Sequence, residues 1–107
     1  MRPDKVELTG GIYMTEQDRE SFETIIEAFG KEAQMIVAVE ELAELQKEII
    51  KKLRQKKGNI FSLVEEMADA EIMIDQLKIM FNIGDKELAT ERNYKINRTL
   101  EKLKKSK

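Results

Sequence analysis

The chain reads as an all-α fold, a four-helix antiparallel bundle completed by oligomerisation, and three observations lead there. Apolar residues return every three or four positions in four successive segments, the interval that keeps side chains on one face of a helix. The breaks between those segments are short and carry glycine, at Gly30, Gly58 and Gly84. One segment is apolar on two sides, more surface than one small bundle can cover, which implies burial by another subunit.

Residues 1–14 show no sustained periodicity and contain the single proline and Gly10-Gly11, so a flexible N-terminal arm is expected, with Tyr13 anchoring its end. Residues 15–107 form the all-α domain. Thr15 followed by Asp18 is a capping-box variant that starts a first helix, which ends near Gly30 and turns Phe22, Ile25, Ile26 and Phe29 to the core. A second helix runs from about Lys31 to Leu53, with Met35, Val39, Leu42, Ile49, Ile50 and Leu53 as its main apolar stripe. Glu41, Glu44 and Glu48 lie off that stripe, on the side of Gln34 and Val37. Lys51, Lys52, Arg54, Lys56 and Lys57 crowd its C-terminal end, where cations offset the helix dipole.

Asn59 is the expected N-cap of a third helix reaching Ile83 and stopping at Gly84. Its main stripe is Leu63, Met67, Ala70, Ile74, Leu77 and Phe81, and Val64, Ala68, Ile72 and Ile79 make the second apolar side. Glu66 and Asp69 border the main stripe, a costly place for an acid without a partner. Asp85 caps a fourth helix to about Lys104, with Leu88, Ile96, Leu100 and Leu103 inward and Lys95, Arg98 and Lys102 as a basic row.

A length of 107 residues suits one domain, which buries roughly 60 to 70 per cent of its unfolded surface. Without cysteine or histidine there are no disulfides, thiolate or imidazole metal sites, or Ser-His triads, so any metal must be bound through oxygen. Charged residues make up 37% and balance to −2, which gives no global attraction for nucleic acid or membranes. No apolar run is long enough for a membrane span, and the first residues lack the hydrophobic region of a secretory signal; a cytoplasmic location is expected.

Two acidic segments stand out, Glu40-Glu41-Leu42-Ala43-Glu44 and Glu65-Glu66-Met67-Ala68-Asp69. In each, carboxylates one helical turn apart share a face, Glu41 with Glu44 and Glu66 with Asp69. A hairpin folded about Gln55, inside the turn-like Arg54-Gln55-Lys56-Lys57-Gly58-Asn59, sets Glu41 level with Asp69 and Glu44 level with Glu66. Four converging carboxylates repel unless a hard cation neutralises them, and Mg²⁺ is the ordinary oxygen-seeking candidate. Folding back at Gly84 brings Arg98 roughly level with Asp69, so a cationic row approaches the acids. The plainer reading treats the acids as solvated surface and the cations as ordinary salt-bridging groups.

Glu-Glu-x-x-Glu followed after 21 residues by Glu-x-x-Asp resembles the signature of the MazG-like all-α nucleoside triphosphate pyrophosphohydrolases. The resemblance spans about Phe29 to Leu103, with Gly30-Lys31-Glu32-Ala33-Gln34 ahead of the first motif. Lys95-Ile96-Asn97-Arg98 looks like the family's phosphate-contact pattern. The resemblance implies a Mg²⁺-dependent enzyme, with Mn²⁺ as a substitute, cleaving a nucleoside triphosphate to the monophosphate and pyrophosphate in nucleotide-pool housekeeping. It implies Glu41, Glu44, Glu66 and Asp69 as metal ligands, Glu41 or Glu44 as the base, and Lys95 and Arg98 on the substrate phosphates. Gln34, on the Glu41 side, is the candidate for reading a nucleobase edge. The partners expected are the nucleotide and further copies of the chain, as a homodimer or dimer of dimers. Phosphoribosyl-ATP pyrophosphohydrolases have Tyr-His where this chain has Met73-Ile74, a departure that argues against them, whereas dUTP and dCTP pyrophosphatases remain related patterns. The competing class is a non-catalytic helical dimerisation module. A nucleic-acid-binding bundle is disfavoured by the acids beside its basic turn.

Overall fold

The computed structural model describes residues 13–55 and 60–106, and these form four α-helices and no strand. They are α1 (Glu16–Phe29), α2 (Lys31–Gln55), α3 (Ile60–Met80) and α4 (Asp85–Lys105). The expected arm over 1–14, apart from its last two residues, the Asn59 cap and the turn cations Lys56 and Lys57 lie outside the described residues.

The helix ends follow from local chemistry. Thr15 caps α1 by accepting the Asp18 N–H on its hydroxyl at 3.0 Å, as the sequence implies. Gly30 ends α1 and begins α2 with nothing between. Its N–H donates to the Ile26 carbonyl at 2.7 Å, its own carbonyl accepts from Gln34 N–H at 3.0 Å, and its φ of 99° is one that only glycine adopts freely. The third helix stops earlier than Gly84. Asn82 takes the left-handed conformation at φ 57°, Ile83 N–H reaches the Lys78 carbonyl at 2.8 Å and Asn82 N–H the Ile79 carbonyl at 3.3 Å, a Schellman ending that uses asparagine in place of glycine. Gly84 is left free to be the N-cap of α4, and Glu87 reaches back to its N–H at 3.3 Å.

Asp85 is therefore the first residue of α4, and its carboxylate ties three segments together. It accepts from Met14 N–H at 3.0 Å and from Lys78 Nζ at 2.7 Å, while Asp75 holds the same ammonium at 3.0 Å. Lys78 is buried, which would lower its pKa, yet the bonds to Asp85 and Asp75 raise it. The N-terminal anchor is thus the Met14 backbone, with Tyr13 itself exposed.

The antiparallel α2–α3 hairpin has the register that folding about Gln55 demands. Gln34 Nε2 donates to Gln76 Oε1 at 2.8 Å and Ser62 Oγ donates to Glu48 Oε1 at 2.9 Å, and both pairs mirror each other about that residue. At the open end, Lys31 Nζ sits 4.7 Å from the centre of the Phe81 ring. Helix α1 packs against both members of the hairpin.

Which faces point inward is where structure and sequence part. The seam of α2 runs through Gln34, Ala38, Glu41, Leu45 and Glu48, whereas Met35, Val39, Ile49, Ile50 and Leu53, expected in the core, are exposed. On α3, Ala70 and Met73 are buried, but Met67, Ile74 and Phe81 are exposed. The hairpin interior is thus largely polar and its outside largely apolar, the reverse of a self-sufficient bundle. Nor does α4 pack along the others as a bundle member: every residue from 90 to 106 is exposed. The radius of gyration is 16.7 Å, against about 13 Å for a compact chain of this length.

Candidate metal centre

Three polar layers cross the α2–α3 seam. The outer two are closed by hydrogen bonds. At one end Gln34 and Gln76, both buried, pair amide to amide. At the other, Glu48 accepts from Ser62 and from Lys51 Nζ at 3.2 Å, with Lys52 Nζ at 3.6 Å. The Ser62 and Lys51 hydrogen bonds hold the Glu48 carboxyl below its ordinary pKa against the effect of burial. Glu48 is thus a clasp between α2 and α3, and its lysines are the cations the sequence placed at the helix end.

The middle layer consists of acids alone. Glu41, Glu66 and Asp69 each offer a carboxylate oxygen, and these oxygens lie within 4.8 Å of one another. Burial raises the pKa of Glu41, and the charges of Asp69 and Glu66 raise it further. Direct contact with the Asp69 carboxyl adds to the rise. Glu66 is raised by burial first and then by Asp69 and Glu44, and its Oε1 is a buried oxygen without a hydrogen-bond partner. Helix α2 delivers Glu41 because it shares the seam with Gln34, Ala38 and Leu45. Helix α3 delivers Glu66 and Asp69 because they lie one turn apart on the face that carries Met73 and Gln76.

Glu44, the fourth expected ligand, is not within that group. It stands about 80° around α2 from the middle of the seam at about 100° per residue. Its side chain is exposed, with Lys47 Nζ at 3.8 Å. Its charge still reaches both Glu41 and Glu66.

The expected phosphate cations are elsewhere. Lys95 lines the open side of α3, with Glu71, Ile74, Asp75 and Lys78, and pairs with Glu91 at 3.8 Å. The Arg98 guanidinium lies 5.6 Å from the centre of the Tyr94 ring. On α3 the residues facing α4 fall on the side opposite Glu66 and Asp69, so although α4 turns back at Gly84, its basic row does not meet the acids within one chain. Gln34 lies on the same seam about two turns before Glu41, with its amide engaged by Gln76.

Gln76, Ser62 and the Asp75–Lys78–Asp85 clamp did not stand out in the sequence. The first two were within reach of the same mirror rule, since Gln76 reflects Gln34 about Gln55 and Ser62 reflects Glu48. No helix among the described residues is long and apolar enough to cross a membrane. No family model, curated protein or solved structure matches the chain.

Proposed function

We propose that this chain is a Mg²⁺-dependent nucleoside triphosphate pyrophosphohydrolase that releases pyrophosphate and a nucleoside monophosphate, acting as a homodimer or dimer of dimers. One observation carries the reading: of three polar layers in the hairpin, only the middle one is left open, with three acids and a buried oxygen that nothing satisfies. Hydrogen-bond closure of the layers on either side shows what a merely structural layer looks like in this helix pair. An all-oxygen donor set of carboxylates fits a hard divalent cation. The spacing of the two acidic motifs, similar to the MazG-like signature, adds support independent of the geometry.

In this reading Glu41, Glu66 and Asp69 hold the cation, and Glu44 joins them by a side-chain rotation away from Lys47. The cation supplies neutralisation of phosphate oxygens and a lowered pKa for an attacking water. Glu41 or Glu44 takes the proton of that water. Lys95 and Arg98, the cations expected on the phosphates, stand across α3 from these acids within one chain and take no part in this reading of the site. Gln34 faces the base only if its bond to Gln76 opens.

The test is Mg²⁺-dependent pyrophosphate release across the canonical NTPs and dNTPs, comparing the native chain with Glu41→Ala and Asp69→Ala. Loss of roughly 100-fold or more in both variants is expected from removal of a group that acts on transition-state charge. Undiminished release in both removes the site. The exposed apolar faces of α2 and α3 favour a second reading, a non-catalytic dimerisation module, which predicts no release and no effect of Mg²⁺ on thermal stability.

A further inference from the structure

The seam between α2 and α3 changes sign along its length. Gln34, Ala38, Glu41, Leu45, Glu48 and Lys52 follow one another at the steps of three and four that keep side chains on one face of α2. The middle of the seam is acidic, with Glu41, Glu66 and Asp69 together. Beyond Glu48 it turns basic: Lys51, Lys52 and Arg54 follow on α2 with no further acid up to Gln55, and Ile60 to Val64 on α3 hold none. Lys51 Nζ lies 3.2 Å from Glu48 Oε2 and Lys52 Nζ 3.6 Å from Glu48 Oε1. One carboxylate, already bonded by Ser62, thus gathers two ammoniums, one positive charge more than neutrality requires. Long side chains on a helix lean toward its N-terminus, so both lysines lean from the closed end of the hairpin toward the acids. The step between them is short. Ser62 and Glu66 stand one turn apart on α3, about 6 Å along the axis, and the charge of Glu48 reaches Glu66.

We propose that Lys51 and Lys52 bind the terminal phosphates of the substrate, and hence the departing pyrophosphate, while the acids hold the cation on the same phosphate chain. The inference rests on the hydrolase reading and assigns the phosphate-binding end of its site. A single divalent cation does not match the combined charge of three carboxylates and a triphosphate, and ammonium groups one turn further along the seam supply the rest. An ammonium has three donors and no acceptor, so Lys51 keeps donors for phosphate oxygens while it bonds Glu48. Glu48 is a positioning residue here, since it fixes both ammoniums at one level and itself meets no phosphate. When water bonds to the phosphorus that stays with the nucleoside, its bond to the bridging oxygen breaks and the electron pair leaves with the pyrophosphate. The lysines stand where that charge collects. The water proton passes to Glu41 or Glu44, as in the proposed function.

The test is calorimetric titration of the full-length chain with pyrophosphate in Mg²⁺, comparing the native protein with Lys51→Gln, Lys52→Gln, Lys52→Arg and Lys104→Gln. The native chain is expected to bind, and Lys51→Gln and Lys52→Gln each to bind about 10-fold more weakly, the loss that follows removal of one charge-assisted hydrogen bond. Lys52→Arg keeps the charge and should recover most of the affinity. Lys104→Gln removes an exposed charge near the end of α4 and should change nothing. A nucleoside monophosphate titrated into the same set is expected to bind equally throughout, because it carries no terminal phosphates. The Lys51 side chain is 58% exposed, so Lys51→Gln leaves the fold intact even where Lys52→Gln loosens the clasp. A native chain that binds no pyrophosphate overturns the proposal. So does native affinity in both glutamine variants, or an equal loss in Lys104→Gln. Pyrophosphate release from nucleoside triphosphates, measured on the same samples, separates the two readings. Release by the native chain with undiminished pyrophosphate binding in Lys51→Gln and Lys52→Gln removes the subsite and spares the hydrolase, whereas lysine-dependent pyrophosphate binding without release removes the hydrolase alone.

Discussion

Glu66 shows how a single side chain can be destabilising by design. Its folded carboxyl holds a proton more tightly than in the unfolded chain, since burial and the charges of Asp69 and Glu44 oppose ionisation. Stability from the protonated form is therefore present below the ordinary value of 4.5 and is lost as pH rises through the raised pKa. Glu66→Gln removes that cost. Without divalent cations the variant is expected to melt above the native chain at neutral pH, with the gap closing as pH falls through the raised pKa and gone below 4.5; Mg²⁺ should raise the native melting temperature and not the variant's. Thermal melts in chelator and in Mg²⁺ across pH check this, and a variant that melts below the native chain throughout would contradict it. Gly30 is the other residue whose identity is forced. Open space surrounds the position of an added Cβ, so Gly30→Ala is penalised by φ 99° alone, at about 1–3 kcal/mol in denaturant unfolding.

At the scale of the element, the α2–α3 hairpin is aligned by polar pairs. Gln34 with Gln76 and Glu48 with Ser62 bond only when the helices mirror about Gln55, so a shift by one residue breaks both. Gln76→Leu alone strands the Gln34 amide in a buried place and should cost about 1–3 kcal/mol, whereas the double variant Gln34→Leu, Gln76→Leu should be close to neutral. A double-mutant cycle by urea unfolding measures this, and additive losses would show that the amide pair does not act as a unit. The Asp85 carboxylate performs a similar service at the other end of the fold. Burial works to raise its pKa, but Lys78 and the Met14 N–H hold it lowered, so its contribution is present above the ordinary 3.8 and is lost as pH falls through the depressed value.

The whole molecule is turned partly inside out. Only Ala38, Ala70 and Met73 are buried apolar residues among those described, while apolar stripes on α2, α3 and α4 face outward. A fold with so little apolar core of its own gains stability from association, so the melting temperature should rise with protein concentration. Melts over a dilution series decide this, and a concentration-independent transition would mean that the single chain is stable as it stands.

Four helices, their approximate limits and the hairpin register were legible in the sequence, because caps, spacing and a turn are local properties that 3.6-residue periodicity transmits without knowledge of neighbours. Thr15 and the Gln55 mirror are the clearest cases. The inward face of α2 was not legible. Its apolar stripe and its Gln34–Glu41–Glu48 row are both periodic, and hydropathy favours the former while the packing partner selected the latter. The same holds for the site. The sequence sets Glu41 level with Asp69 and Glu44 level with Glu66, but only the tertiary structure gathers Glu41, Glu66 and Asp69, leaves Glu44 beside Lys47 and places Lys95 and Arg98 across α3 from the acids, because direction around a helix axis is set by what the helix packs against.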